Sequence, residues 1–175
     1  MAKSKRKKKF PLVVYFGVFI FLMDFITKLL VSRNLPLMGS DDLWYPYGGI
    51  PVFSNFLGIE FSLVHAINRG AAWGIFADYQ GLLMIFRIIL IGVVINYAIF
   101  FNKNRSYDYP FMLIICGALG NILDYFLYGH VVDMFNFVLW GYDYPVFNIA
   151  DTAICVGIIW LVFFSSPQNQ KKRAK

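Results

Sequence analysis

Apolar residues dominate four segments of the chain, and polar stretches separate them. A helix crosses the hydrocarbon core of a bilayer with about 20 mostly apolar residues. The segments that reach or approach this length are residues 10–31, 81–101, 110–127 and 148–165. The pattern predicts an all-α polytopic membrane protein with four transmembrane helices, formed by one membrane-embedded domain over residues 1–175.

The first apolar segment also has the basic start and the apolar run of a secretory signal peptide. No small-residue cleavage site follows, and the run continues past Asp24 and Lys28 instead. We therefore predict that this segment stays in the protein as its first transmembrane helix.

The segment between the first two predicted helices, residues 32–80, is rich in turn-forming residues. Apolar and polar side chains alternate in residues 59–65, which is typical of a half-buried strand. We expect a small outward-facing β-sheet, or cradle, between helices one and two, lying on the outer leaflet. Aromatic side chains are expected to anchor it at the level of the lipid headgroups: Trp44, Tyr45, Tyr47 and Phe53. A second outward segment, residues 128–147, joins helices three and four.

Composition and charge indicate a membrane protein with a defined orientation. The chain is 59% hydrophobic and 15% charged, whereas soluble domains are about half apolar and a quarter charged. Residues 1–9, Lys103, Arg105 and residues 166–175 hold 12 of the 16 lysines and arginines. These groups flank apolar segments, so we expect no nucleic acid partner despite the net charge of +6. The positive-inside rule predicts cytoplasmic termini and two outward-facing segments.

Nothing in the sequence indicates a metal or another cofactor. Cys116 and Cys155 lie inside apolar runs and have no zinc-binding spacing, so both are expected to be reduced thiols. His65 and His130 form no HExxH motif, and no GxSxG or P-loop sequence occurs.

Ionisable and amide side chains inside the apolar segments are costly to bury, so each needs a reason. Asp24 and Lys28 are four residues apart on predicted helix one, where they can pair on one face. Asn121 and Asp124 are three apart on predicted helix three and also share a face. A self-neutralising pair near the interface would account for Asp24 and Lys28 without any function.

Two further aspartates follow. Asp133 lies just after predicted helix three, and Asp151 lies three residues after Asn148 at the start of helix four. Asn148 and Asp151 match a helix-capping box, which alone would explain them. The predicted topology, however, gathers Asp24, Asp124, Asp133 and Asp151 near one membrane face.

Carboxyl groups gathered at one depth favour proton chemistry. Two of them in a low-dielectric site share a proton, because both cannot ionise easily. One then serves as general base towards water and the other as general acid, as in aspartic peptidases. The same groups would suit a small proton- or cation-coupled transporter or channel subunit, or a scaffold for lipid-anchored partners.

Five short segments resemble, in order, the motifs of the bacterial lipoprotein signal peptidases, which are type II signal peptidases. They read DFITK at residues 24–28, NRGAAW at 68–73, GNILD at 120–124, GHVVD at 129–133 and FNIAD at 147–151. The resemblance covers most of the chain, including all four predicted helices.

The resemblance implies an intramembrane aspartic endopeptidase of the bacterial cytoplasmic (inner) membrane. Such enzymes remove the signal peptide from diacylglyceryl-modified prolipoproteins and cut on the amino side of the lipidated cysteine. Asp133 and Asp151 would be the catalytic pair near the periplasmic face. The supporting or substrate-binding residues would be Asp24, Lys28, Asn68, Gly70, Asn121, Asp124 and Asn148. Sensitivity to globomycin-type inhibitors, contact with membrane lipid and a monomeric state are also expected.

Two positions depart from the family pattern. Tyr125 stands where the family usually has arginine after G-N-x-x-D, and Trp73 stands where phenylalanine is usual. Tyrosine offers one hydroxyl and no charge, whereas arginine offers a forked, charged donor. Arg69 is a candidate substitute for the missing cation.

Overall fold

The computed structural model describes residues 10–39, 46–70 and 75–164. The four main helices are α1 (Phe10–Asn34), α2 (Gln80–Asn96), α3 (Asp108–Tyr128) and α4 (Ile149–Phe164). A π-helical turn at Tyr97–Phe101 extends α2, and short 3-10 helices at Ala77–Tyr79 and Arg105–Tyr107 precede α2 and α3. The strands are β1 (Ile50–Phe56), β2 (Ile59–Asn68), β3 (Val131–Leu139) and β4 (Tyr142–Asp143).

Within the described residues, three helical stretches are long and apolar enough to cross a membrane: Leu12–Asn34, Ala77–Phe101 and Arg105–Tyr128. The fourth apolar helix, α4, has 16 described residues, which rise about 24 Å against a hydrocarbon core of about 30 Å. The predicted fold class, a polytopic helical membrane protein with a small sheet, is confirmed.

Helix α3 is central to the bundle, because it contacts each of the other three main helices. Glycines allow it to approach α4 closely. A methyl group added at Gly117 would lie 2.5 Å from the Ala150 carbonyl oxygen, and one at Gly157 would lie 2.8 Å from that of Pro110. This close approach brings the inward face of α3, with its amide and carboxyl groups, to the first turn of α4.

The strands form one antiparallel sheet in the order β1-β2-β3-β4. The sheet therefore draws two strands from the segment between α1 and α2 and two from the segment between α3 and α4. The second pair was not predicted, because β3 is buried on both faces over most of its length and lacks the alternation of a half-buried strand. Val132 and Met134 of β3 pack with Val31 of α1, which seats the sheet on the bundle.

Register in the sheet positions one acidic side chain. Ala66 of β2 pairs with Asp133 of β3, and Asn68 pairs with Val131. A register shift between Leu63 and Ala66 precedes these pairs. Asn68 and Asp133 therefore come together at the end of β2.

Several predictions fall on residues that the structure does not describe. These are the basic segments 1–9 and 166–175, the proposed anchors Trp44 and Tyr45, and Ala71, Ala72 and Trp73 of the second motif. Of the other proposed anchors, Phe53 is half-buried, and its ring centroid lies 5.7 Å from that of Phe61 and 6.0 Å from that of Phe56.

Candidate active site

A buried ammonium group connects α1 to α3. The Lys28 Nζ atom lies 2.7 Å from Asp24 Oδ2, 2.8 Å from Asp124 Oδ2 and 2.9 Å from Asn121 Oδ1. Lys28, Asp24 and Asp124 are each 1% exposed. An ammonium group carries three protons, so three oxygen atoms match its donor capacity. The charge pairs also keep any one of these ions from being buried alone, which would be strongly unfavourable.

Asp24 and Asp124 also accept hydrogen bonds from the backbone of α4 and β3. Asp24 Oδ1 accepts a hydrogen bond of 2.8 Å from the backbone N–H of Ala150, in the first turn of α4. Asp124 Oδ2 accepts one of 3.2 Å from the backbone N–H of Val132, on β3. A carboxylate at a helix N-terminus also interacts favourably with the helix dipole. The ion cluster therefore fixes both segments that carry the remaining aspartates.

Asn148 and Asp151 form a reciprocal cap at the start of α4. Asn148 Oδ1 accepts from the backbone N–H of Asp151 at 2.8 Å, and Asp151 Oδ2 accepts from the backbone N–H of Asn148 at 3.3 Å. This is the capping-box arrangement that the spacing allowed. The other carboxyl oxygen, Asp151 Oδ1, accepts from Asn121 Nδ2 at 2.8 Å. The Asp151 side chain thus caps α4 with one carboxyl oxygen and joins the polar network with the other.

The amide of Asn148 also contacts the second aspartate. Its Nδ2 atom donates to Asp133 Oδ1 at 2.7 Å, and lies 3.1 Å from Asn121 Oδ1 and 3.2 Å from the carbonyl oxygen of Val132. Asn148 is fully buried. Its amide therefore joins Asp133 to the residues around Asp151.

Asp133 receives a second hydrogen bond from the end of β2. Asn68 Nδ2 donates to Asp133 Oδ2 at 3.0 Å, and Asn68 Oδ1 accepts from the backbone N–H of Gly70 at 3.0 Å. The carbonyl oxygen of Gly70 accepts a 2.7 Å hydrogen bond from Arg87 Nη2 on α2. All four main helices and the sheet thus contribute to one network, which contains every predicted site residue.

Burial raises the pKa of Asp133 to about 7, and the negative charge of Asp151 adds to the effect. The hydrogen bond from Asn68, the positive charge of Lys28 and the hydrogen bond from Asn148 act against this rise. The Asp133 carboxyl is 2% exposed. A large fraction of it therefore remains protonated near neutral pH.

A cleft of about 780 Å³ opens beside this network. The residues that line it include Asn68, Arg69, Asp133, Asn136 and Tyr144. Its volume is within the range of about 300–1,000 Å³ that is common for ligand pockets. Asp133 belongs to the lining, so the cleft reaches one of the carboxyls of the network.

No three His, Cys, Asp or Glu side chains form a metal-binding group in the part of the chain that the structure describes. The carboxylates of Asp24 and Asp124 point at the Lys28 ammonium group instead. Both cysteines are free thiols, with Cys116 buried and Cys155 exposed.

Comparison with known proteins identifies the family. The family described as signal peptidase (SPase) II matches residues 16–166, which is most of the chain. The chain belongs to the signal peptidase II family. The resemblance drawn from the five motifs is confirmed, and membership in this family makes the chain a membrane peptidase.

Relatives and solved structures agree with this assignment. The lipoprotein signal peptidases of Staphylococcus aureus strains JH9 and Newman are 32% identical to the chain over 166 residues, covering 93% of it and 92% of each relative. A bacterial membrane enzyme solved by the in meso method at 2.3 Å superposes with a TM-score of 0.78 and 26% identity, over 99% of this chain and 98% of that one. A second such structure, at 1.9 Å, gives a TM-score of 0.75 and 25% identity, over 94% and 99%.

Tyr125 departs from the usual family arginine, and the structure shows its surroundings. It is half-buried, and its ring centroid lies 5.8 Å from that of Phe126. Arg69, the candidate substitute, is exposed and lines the cleft. Burial, together with the positive charge of Arg69, lowers the pKa of His130.

Arg87 was not predicted as a site residue, although it reaches the network through Gly70. The signal was present in the sequence, since an arginine inside the apolar run of residues 81–101 is unfavourable in lipid unless it meets polar groups.

Proposed function

We propose that this signal peptidase II family member is an aspartic endopeptidase in which Asp133 and Asp151 form the catalytic pair. The observation that carries the proposal is the side chain of Asn148. It donates to Asp133 Oδ1 at 2.7 Å and accepts from the Asp151 backbone at 2.8 Å, beside a cleft of substrate size. One buried amide thereby holds the two acids in a fixed relation.

The two carboxyls suit different roles in hydrolysis. Asp151 takes a proton from water while the water oxygen bonds to the scissile carbonyl carbon, and Asp133 protonates the carbonyl oxygen. Collapse of the tetrahedral intermediate breaks the C–N bond. The departing nitrogen takes the proton that Asp151 received from water, and Asp133 recovers a proton from a hydroxyl group of the intermediate, which leaves as the new carboxyl group. The pKa of about 7 supports Asp133 as the acid, because it keeps a proton at neutral pH.

The supporting residues hold these groups in place. Lys28 and its three oxygen partners anchor the segments that begin β3 and α4. Asn121 and Asn68 each donate to one member of the pair. Neither asparagine changes charge with pH, so the positions of the carboxyls stay defined while the acids exchange protons.

The substrate of the proposal is a prolipoprotein whose cysteine carries diacylglycerol, cut on the amino side of that cysteine. The names of the Staphylococcus aureus relatives support lipoprotein precursors as substrates. The lipid chains stay in the bilayer while the scissile bond enters the cleft. We further propose a monomer in the bacterial cytoplasmic membrane with cytoplasmic termini, a site near the periplasmic face and inhibition by globomycin-type peptides. The positions of the basic segments support this orientation.

Cleavage of a prolipoprotein in detergent tests the proposal. The substrate with diacylglycerol on its cysteine is compared with the unmodified form, using the wild type, Asp133→Asn and Asp151→Asn. Asp78→Asn is the matched control, because Asp78 is an exposed aspartate outside the network. We expect lipid-dependent cleavage by the wild type and the control, and its loss in both other variants. Substantial activity in Asp133→Asn or Asp151→Asn refutes the catalytic pair. Ion flux in liposomes without proteolysis supports the transporter alternative.

A further inference from the structure

Arg87 is a half-buried cation on an apolar helix. The residues beside it, Phe86 and Ile88, are 60% and 43% exposed, as expected for a surface that faces lipid. Arg87 instead directs its guanidinium group to the carbonyl oxygen of Gly70 at 2.7 Å. A charge on a membrane helix is retained only where it meets polar groups, so this contact indicates a specific role.

The contact leads directly to Asp133. Gly70 donates its N–H to Asn68 Oδ1 at 3.0 Å, and Asn68 Nδ2 donates to Asp133 Oδ2 at 3.0 Å. The orientation of the Asn68 amide depends on the Gly70 backbone, because its oxygen must meet that N–H group while its nitrogen meets Asp133. Arg87 donates a hydrogen bond to the carbonyl oxygen of the same residue, Gly70.

The charge of Arg87 also reaches the aspartate pair. Its guanidinium group interacts electrostatically with Asp151 and with Asp133. Other charges near the pair are Lys28 on α1, Asp124 on α3, and Arg69 and Asp143, which line the same cleft. The neighbouring strand β2 contributes the neutral Asn68. Among the main helices α2 therefore supplies its own cation to the pair, separate from the Lys28 cluster.

We propose that Arg87 is a positioning residue of the aspartate pair. It fixes Asn68 against Asp133 through Gly70, and its positive charge acts on the pair from the side of α2. This inference rests on the proposed catalytic pair. It assigns to α2 a function beyond crossing the membrane and identifies a cation of the site that no motif of the sequence contains.

Three substitutions separate the two parts of the proposal. Arg87→Gln removes the charge and keeps an amide donor, Arg87→Met removes both, and Arg87→Lys keeps the charge without the forked geometry. Lys103→Gln is the control, because Lys103 is an exposed cation outside the network. We expect kcat for the lipid-modified prolipoprotein to fall about ten- to a hundredfold in Arg87→Gln and Arg87→Met, with little change in KM. Arg87→Lys is expected to recover part of the loss.

Titration of the Asp133 carboxyl provides a readout that does not depend on cleavage. Carbon-13 labelled aspartate is followed by NMR in detergent from acidic to alkaline pH, and the signal is assigned by its loss in Asp133→Asn. Removing a nearby positive charge favours the protonated acid, so the midpoint should rise by about 1 pH unit in Arg87→Gln and Arg87→Met. It should stay near the wild-type value in Arg87→Lys and Lys103→Gln.

The outcomes are distinct. A raised midpoint together with a lower kcat in either charge-removing variant, and partial recovery by lysine, supports the inference. An unchanged midpoint overturns it even where kcat falls, because a purely structural residue would behave in that way. Equal losses in the lysine and glutamine variants also overturn it. Failure of the catalytic pair itself appears separately, as retained cleavage by Asp133→Asn.

Discussion

Asn148 Nδ2 lies 2.7 Å from Asp133 Oδ1, although Asn148 is the residue just before α4 and Asp133 lies within β3. The carbonyl oxygen of the same side chain caps α4 by accepting from the Asp151 N–H. Helix capping and alignment of the two acids are therefore performed by the two ends of one amide. This arrangement makes the two functions separable by substitution.

Asn148→Asp should separate capping from alignment. Aspartate is as good an N-cap as asparagine, but it lacks the NH2 group that donates to Asp133 and it adds negative charge. We expect a folded protein with cleavage reduced at least about a hundredfold. Asn148→Ala should in addition lose about 1 kcal/mol of stability with the cap. Thermal unfolding in detergent, measured beside the cleavage rate, checks both. A fully active Asn148→Asp would show that the amide contact with Asp133 is dispensable.

Activity should fall as the pH rises through about 7, the pKa of Asp133. The proposed general acid loses its proton in this range, so kcat/KM decreases on the alkaline side. The contribution to stability has the same sign, because a raised pKa means that the folded state binds the proton more tightly than the unfolded state. The stability that protonation of Asp133 contributes to the folded state is fully present below pH 3.8. It is lost as the pH rises from 3.8 to about 7. A pH–rate profile that stays flat from pH 6 to 9 contradicts the assignment.

Lys28→Met should destabilise the protein strongly. It leaves the carboxyls of Asp24 and Asp124 buried beside each other without their shared cation. Breaking a buried ion pair in this way costs about 3–5 kcal/mol. Arg33→Met is the control, because Arg33 is an exposed cation near the end of the same helix. The comparison is made by the midpoint of thermal unfolding, and equal midpoints would rule out a structural role for the cluster.

Gly117→Ala should lower both stability and activity. The added methyl group would lie 2.5 Å from the Ala150 carbonyl oxygen and force α3 and α4 apart, which moves Asn121 away from Asp151. Overpacking of this kind costs about 1–3 kcal/mol. Gly92→Ala on α2 is the matched control, since a methyl group there meets nothing within 4 Å. Similar unfolding midpoints for the two variants would argue against a tight α3–α4 contact.

The sequence predicted the helices well because lipid requires long apolar runs, and such runs are visible without knowledge of the packing. Strand β3 was missed for a related reason. Both of its faces are largely buried, so Val131, Val132 and Met134 give no alternating pattern. The apolar run resembles a linker as much as a strand until its partner β2 is known.

The sequence predicted which residues belong to the candidate site, but not which of them contact each other. The motifs identified Asp24, Lys28 and Asp124 as site residues. They did not predict that the ammonium group of Lys28 forms ion pairs with both aspartates. Arg87 lies outside every motif, and its target is a backbone carbonyl. No sequence pattern records such a target, so only the folded backbone shows which group the arginine reaches.

The hydrogen bond from the Ala150 N–H to Asp24 Oδ1 spans 126 residues and has a consequence for biosynthesis. Asp24 is translated before Ala150 and the proposed catalytic Asp151, with α2 and α3 between them. The site therefore cannot assemble while the first three helices alone are in the membrane. The proposed catalytic pair forms only after α4 has joined α1, and a nascent chain that lacks α4 has the ion cluster without Asp151.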